Sequence, residues 1–327
     1  MRYLSPLRYP GGKNSLARFI GDLIDCQPIP PRRYVEAFAG GSGVALRLLI
    51  DEHVETVVLN DLDPGIAAFW RCVFFRTAAF LRRVRRCRPS IAVWRQQHAI
   101  HESRRGDDLE LGFATFFLNR CNRSGILLDA RPIGGFAQKG EWRIGARYNG
   151  TELAHRIEVI GRYRSRVTVL EKDGIEVARE YVGERHTFAY LDPPYLRKGA
   201  ELYFDGLGIE DHRMLAHIIG PRRLWALTYD VDPRVPQMYR GHRRAKFSIS
   251  HTAGVRHMGN EYAIFAEGLV VPSVRALGSG ARFMPRRAQL QRAEKAAFRN
   301  LAHDQHPGGR VQGIRNRRFG RLRAGGS

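Results

Sequence analysis

The run AYLDPPYLRKG, Ala189 to Gly199, ends an apolar stretch on a carboxylate, Asp192. Pro193 and Pro194 follow, and then the ring of Tyr195. Each type has a use at such a place. A carboxylate accepts hydrogen bonds. A proline fixes its φ near −65° and keeps a free carbonyl. A tyrosine offers a flat face for another ring. Taken alone, the tetrapeptide also reads as a strand terminator followed by a turn.

Three further stretches carry candidate chemistry. In EAFAGGSGVAL, Gly40, Gly41 and Gly43 lie between a strand and a helix, where the missing Cβ atoms let a ligand approach the backbone. The helix N-terminus behind that turn favours negative charge. The spacing is not GxGxxG, which weakens a nicotinamide-dinucleotide reading. In LNDLDPG, Asp61 ends the second strand, eighteen residues after Gly43. An acid there can accept hydrogen bonds from ribose hydroxyls. Asp63 is placed to cap the next helix, with Pro64 in its first turn. In LRYPGGKNSL, Tyr9 to Lys13 precede the first helix, and by themselves make an unremarkable turn.

The elements that must hold these residues follow from apolar spacing. NSLARFIGDLI sets Leu16, Phe19, Ile20, Leu23 and Ile24 on one helical face, with Asn14 or Ser15 as cap. RRYVEAFAGGSGVALRLLIDEH reads strand, glycine turn, helix, and ETVVLNDLDPGIAAFWRCVFF reads strand, acidic turn, helix. This is the opening of a parallel sheet with covering helices. From about Thr77 to Arg166 the alternation stops: FLRRVRRCRPSIAVWRQQHAIHESRR is helical and basic, and LELGFATFFLNRCNRSGIL is a helix ending near Ser124. DARPIGGFAQKGEWRIGARYNG, glycine-rich and basic with interleaved aromatics, suggests a hairpin or extended loop. Alternation resumes with RVTVLEKDGIEVARE, HTFAYLDPPY, the helix EDHRMLAHIIG and the strand RRLWALTYD. AKFSIS and EYAIFAEG complete the sheet as an antiparallel hairpin. The expected division is a core of 1–76 and 167–270, an insert of 77–166 and a tail of 271–327.

With 327 residues, 43% of them hydrophobic, the chain can bury an ordinary core. No apolar run approaches the ~20 residues of a membrane span, and the N-terminus lacks a signal's apolar region. A soluble, cytoplasmic protein is expected. Cys26, Cys72, Cys87 and Cys121 lack metal or redox spacing, so buried reduced thiols and no metal are expected. The net charge of +22 points to a polyanionic partner, above all nucleic acid. From Ser273 onward, thirteen lysines and arginines face two acids, and the end of that tail reads as disordered.

Taken together and in this order, the Lys13 segment, glycine turn, Asp61, basic insert and DPPY resemble the Dam-like, D12 class of adenine-specific DNA methyltransferases. FLNR at Phe117 to Arg120 and GEWRIGARY at Gly140 to Tyr148 resemble the insert of that family. The resemblance covers roughly Tyr3 to Ala266. It implies an α/β, Rossmann-like sheet with helices on both faces and a mainly helical target-recognition insert. It implies S-adenosylmethionine (SAM) as cofactor and double-stranded DNA as partner, with the enzyme working as a monomer at the nucleoid. Tyr9, Lys13, Phe38, Gly40, Gly41, Gly43, Asp61, Asp173 and Asp192 would hold the cofactor. Asp192, Pro193, Pro194 and Tyr195 would act on adenine N6, the carboxylate and the Pro193 carbonyl receiving its two N–H groups. Tyr195 would stack on a base turned out of the duplex. Arg120, Arg123, Arg131, Lys139, Arg143 and Arg147 are the candidate DNA contacts. After FLNR the sequence CNRSGILLDARPIGG departs from the family wording, so no target sequence carries over. Methylation of RNA or of cytosine N4, and a catalytically silent DNA-binding protein of the same fold, are the alternatives.

Overall fold

The apolar stripe expected of the first helix faces inward, with Leu16, Phe19, Ile20, Leu23 and Ile24 at most 2% exposed. A computed structural model describes residues 4–8, 12–196, 206–251 and 257–285 of the chain. A turn of 3-10 helix, Asn14–Leu16, leads into α1, Ala17–Asp25. That turn takes up Asn14 and Ser15, so neither caps α1 as expected, and the cap position falls on Leu16 without a side-chain bond.

Strands β1 (Arg33–Glu36), β2 (Thr56–Asn60), β3 (Val167–Leu170), β4 (Thr187–Leu191) and β5 (Trp225–Asp230) form the parallel part of the sheet. Every residue of β4 is buried, which suits its unbroken apolar run TFAYL to a central parallel strand. β6 (Arg243–His251) and β7 (His257–Phe265) are the expected antiparallel hairpin, and β8 (Ser279–Phe283) adds an edge. The order is β3-β2-β1-β4-β5-β7-β6-β8. Its first five strands follow the nucleotide-binding order, with β7 antiparallel to β5 in the next place.

Helix α2 (Gly43–Ile50) connects β1 to β2, and α3 (Pro64–Phe75) leaves β2. α8 (Gly174–Tyr181) and α9 (Ile209–Ile219) pack together and join β3 to β4 and β4 to β5. Because right-handed crossovers reverse side when the strand order reverses, α2 and α8 cover opposite faces. This is the expected doubly wound, Rossmann-like sheet. A short helix α10, Val235–Met238, follows β5.

Between α3 and β3 lie α4 (Thr77–Arg86), α5 (Ile91–Ser103), α6 (Asp108–Cys121) and α7 (Gly150–Gly161). The long basic stretch is two helices because Pro89 forces the chain out of helical geometry, and Ser90 caps α5 through the Val93 amide. The glycine-rich segment after α6 is a looped path of turns with one bridge, Asn122 to Pro132, and a 3-10 turn at Ile144–Arg147. Phe69 of α3, Phe80 of α4 and Phe116 of α6 pack with ring centroids 5.6 to 5.8 Å apart. One continuous core therefore runs from the sheet helices through the insert.

α6 crosses α3 at Gly112, where an added Cβ would lie 2.8 Å from the carbonyl of Ala68. Backbone cannot yield as a flexible side chain can. Gly112→Ala is expected to lower stability by about 1–3 kcal/mol, measured by denaturant unfolding. An unchanged midpoint would mean that the crossing is not close-packed.

Two compact units divide at residue 284. The first holds every element above; of the second, the described residues include only Pro285, so the tail from 286 lies outside them. Cys72 and Cys121 are buried as expected, Cys87 is half-buried and Cys26 is exposed. Among the described residues, no helix is long and apolar enough to cross a membrane.

Candidate active site

The strand order reverses between β1 and β4, and the crevice at the carboxyl ends of such strands is where α/β sheets bind ligands. Glu36 ends β1, paired in register with Tyr190 of β4, and Asp192 follows one residue beyond β4. A cavity opens there. Its walls include Lys13, Glu36, Phe38, Gly40, Gly41 and Gly43, with Asp61, Asp173, Asp192 and Pro194.

The glycine turn is built by its neighbours. Gly40 adopts φ 44°, a left-handed conformation open to glycine at little cost, and its amide donates to Asp61 Oδ2 at 2.7 Å. Trp70 Nε1 donates to the Gly40 carbonyl at 2.9 Å. Asp61 Oδ1 accepts the Asp63 amide at 3.0 Å, so this carboxylate ties the turn to the end of β2. Each oxygen keeps a second lone pair for another donor. Burial, and then the charge of Asp63, push the Asp61 carboxyl up to about 7. Asp63 caps α3 through the Gly65 amide at 2.7 Å and pairs with Arg104, as its place before Pro64 suggests.

Asp173 accepts the Ile175 amide at 2.6 Å, capping α8 on the cavity wall. Behind it, a Cβ on Gly174 would lie 2.3 Å from the Phe38 ring. The missing side chain is what lets Phe38 lie against the start of α8. Asn60, fully buried, donates to the carbonyls of Ala37 and Lys172, both at 2.9 Å, and accepts the Lys172 amide at 3.0 Å. One side chain thus fastens the ends of β1, β2 and β3, from which Phe38, Asp61 and Asp173 emerge.

At the other side, Asp192 Oδ1 accepts from Thr228 Oγ1 at 2.7 Å, and Thr228 also meets the Tyr190 hydroxyl at 2.8 Å. Asp192 Oδ2 accepts from Lys13 Nζ at 2.8 Å. Lys13 also donates to the Tyr195 hydroxyl at 2.6 Å, and that hydroxyl donates to Glu261 Oε1 at 2.7 Å. The DPPY segment and the N-terminal lysine, 179 residues apart in the chain, form one polar cluster. Pro193 is buried; Pro194 and Tyr195 are half-buried.

Glu36 is 4% exposed. Its Oε1 accepts from the Tyr34 hydroxyl at 3.0 Å and the Ala45 amide at 3.1 Å, while Oε2 has no hydrogen-bond partner among the described residues. Burial, the largest cause, lifts its carboxyl to about 8 against the pull of Tyr34, Ala45 and the nearby Ser42 side chain, with the charge of Asp192 adding to the rise.

The basic candidates divide. Arg120 is a brace: it donates to the Arg147 carbonyl at 2.7 Å and reaches the Pro6 carbonyl at 3.5 Å. Burial, then Arg8 and Arg156, lower its guanidinium to about 10. Arg123, Arg131, Lys139, Arg143 and Arg147 are exposed along the looped segment after α6. Arg147 lies 5.6 Å from the Trp142 ring centre. Gly125 to Leu128 of the same segment line the cavity, which brings the basic loop to its rim. Tyr9 lies outside the described residues. Among those described, no group of His, Cys, Asp or Glu could hold a metal ion.

Sequence reasoning missed Glu36, Asn60, Thr228 and Glu261. Each is a polar residue inside an apolar strand pattern, VEAF, VLND, ALTY and EYAIF, and that misfit was the available signal.

A model of the D12 class N6 adenine-specific DNA methyltransferase family matches residues 9–221. Among solved structures, the rRNA methyltransferase aviRa from Streptomyces viridochromogenes is 12% identical, covering 79% of this chain and 86% of its own, with TM-score 0.33. A Legionella pneumophila protein of the DUF519 family is 10% identical, covering 86% and 96%, with TM-score 0.28. Scores this low give neither likeness weight. No curated protein matches the chain.

Proposed function

We propose that this chain, which belongs to the D12 class N6 adenine-specific DNA methyltransferase family, transfers the methyl group of SAM to adenine N6 of a base turned out of duplex DNA. The family makes it an enzyme, a DNA methyltransferase. The finer reading is carried by one observation: in a chain of net charge +22, the cavity at the strand ends is acidic. Among the described residues, Glu36, Asp61, Asp63, Asp173 and Asp192 line it against a single lysine, Lys13. Such a lining suits a cationic ligand with hydroxyl groups and repels phosphates.

The residues fit SAM. Glu36 Oε2, buried and without a hydrogen-bond partner among the described residues, would receive an ammonium. Asp61 has lone pairs for ribose hydroxyls. Phe38, set down by Gly174, and Asp173 would hold the adenine ring and its amino group, and the backbone of Gly40 to Gly43 would form the cradle. When bound, SAM supplies an electrophilic methyl group on sulfur. The protein supplies position and hydrogen bonds.

An exocyclic adenine amine is a weak nucleophile because its lone pair delocalises into the ring. Asp192 and the Pro193 carbonyl would accept its two N–H groups and orient the lone pair. Thr228 and Lys13 hold the two carboxylate oxygens, each with one lone pair left for the substrate. Asp192 would then accept the proton that the methylated amine releases. Tyr195 would give the extruded base a face, returning ~1–3 kcal/mol against the cost of unstacking. The core of 1–76 and 167–270 would carry this chemistry, and the insert of 77–166 would hold the duplex through its exposed arginines.

Labelled SAM with bulk unmethylated duplex DNA tests the reading. Label is expected in N6-methyladenine after digestion to nucleosides. Label confined to cytosine, or transfer to RNA alone, would overturn it.

A further inference from the structure

Glu261 sits on β7, fully buried, opposite Asp230 of β5 and Phe247 of β6. A carboxylate in the middle of a sheet is costly to bury unless it is paired and hydrogen-bonded. It is both: the Tyr195 hydroxyl donates to its Oε1 at 2.7 Å, and Lys13 Nζ lies 3.6 Å from the same oxygen. Lys13 is therefore shared between two carboxylates, at 2.8 Å from Asp192 and 3.6 Å from Glu261. The Tyr195 hydroxyl is held on both sides, accepting from Lys13 and donating to Glu261.

We propose that Glu261 is a positioning residue for methyl transfer, fixing the Tyr195 ring against the extruded base and setting how strongly Lys13 is drawn onto Asp192. This rests on the reading of Asp192 and Tyr195 given above. Ionised, Glu261 draws part of Lys13's charge and accepts the hydrogen bond of the Tyr195 hydroxyl. Asp192 is then the better acceptor for the substrate amine. Protonated, Glu261 releases Lys13 to Asp192 and accepts from Tyr195 more weakly. Among the described residues, the ionisable groups facing it include Lys13 from the N-terminal segment, Asp192, Tyr195 and Tyr190 from β4 and the turn after it, and Asp230 across the strand pair. Burial raises the Glu261 carboxyl to about 7; Lys13 opposes this and Asp192 adds to it. The switch between the two arrangements thus falls near neutral pH.

Glu261→Gln keeps the shape and removes the charge. In the wild type, kcat for N6-methyladenine formation is expected to rise about tenfold between roughly pH 6 and 8. In the variant it should stay flat near the wild-type acid limit, with the KM for SAM unchanged. A variant that keeps the wild-type pH profile, even with a lowered melting temperature, overturns the proposal. Should Glu261→Gln not fold, Tyr195→Phe keeps the ring and removes the hydroxyl held between Lys13 and Glu261, and the rise between those pH values should shrink. A Tyr195→Phe profile like that of the wild type is equally fatal.

A second readout needs no DNA. The Lys13 ammonium 15N shift should follow a titration near neutrality in the wild-type chain and lose it in Glu261→Gln. If the wild type methylates nothing while that shift still moves, the functional reading fails and the coupling stands. If methylation proceeds and the shift is the same in both proteins, the coupling fails and the functional reading stands.

Discussion

Asp192→Asn is expected to lower the single-turnover rate of methyl transfer by about 10²- to 10⁴-fold, while SAM affinity, measured by equilibrium dialysis, falls far less. The substitution keeps the size of the side chain and the acceptor for Thr228, so the fold and the Thr228–Tyr190 chain have no reason to move. What changes is the oxygen that Lys13 holds at 2.8 Å. An amide nitrogen there would point donors at an ammonium, and the amide would turn or Lys13 would withdraw. Either way the substrate amine meets one acceptor fewer. Lys13, with its side chain 4% exposed, would fall back on Glu261 and the Tyr195 hydroxyl. A variant within threefold of the wild-type rate would remove Asp192 from the chemistry and leave DPPY as a strand terminator.

The parts of this site that could be read from the chain are those whose chemistry is local. The glycine turn, the acid after β2, Asp63 before Pro64 and the tetrapeptide after β4 declare themselves within a few residues. Their alternation with apolar runs is enough to place them at the carboxyl ends of parallel strands. What stayed hidden depends on which strands become neighbours. Thr228 supports Asp192 only because β5 lies beside β4, and Glu261 reaches Tyr195 and Lys13 only because β7 crosses antiparallel beside β5. Strand order is fixed by crossovers and packing over long separations, and no window of sequence encodes it. Lys13 shows the same limit from the other side. The lysine was visible, but its 2.8 Å contact with Asp192 spans 179 residues. The segment after α6, with the glycines and aromatics of a hairpin or an extended loop, takes the second form and folds as turns. Gly134 and Gly135 take positive φ, and the Gln138 side chain donates to the carbonyls of Ile133 and Gly135, closing the path locally instead of pairing strands.

Glu36→Gln should reshape the pH dependence of both stability and cofactor binding. Burial lifts the Glu36 carboxyl from 4.5 to about 8 in the folded chain. Between those values the folded state holds a proton that the unfolded state has lost. Stability is then greatest below the unfolded value and falls as pH rises through the folded one. At ~1.4 kcal/mol per pH unit the loss over that window is on the order of 5 kcal/mol. Glutamine carries no such proton and can still accept from Tyr34 and Ala45. The variant should therefore gain on the wild type as pH rises, by roughly 5 °C or more in Tm at pH 8. Binding should move the other way. A ligand ammonium on Oε2 favours the ionised acid, so SAM binding near pH 7 should release more protons in the wild type than in the variant, which lacks the Glu36 proton. Calorimetry in two buffers of different ionisation enthalpy reads this directly. Affinity in the variant should drop by about 10- to 100-fold. Parallel stability curves for the two proteins would place the Glu36 proton elsewhere. Equal affinity with equal proton release would leave the buried oxygen without a ligand to explain it.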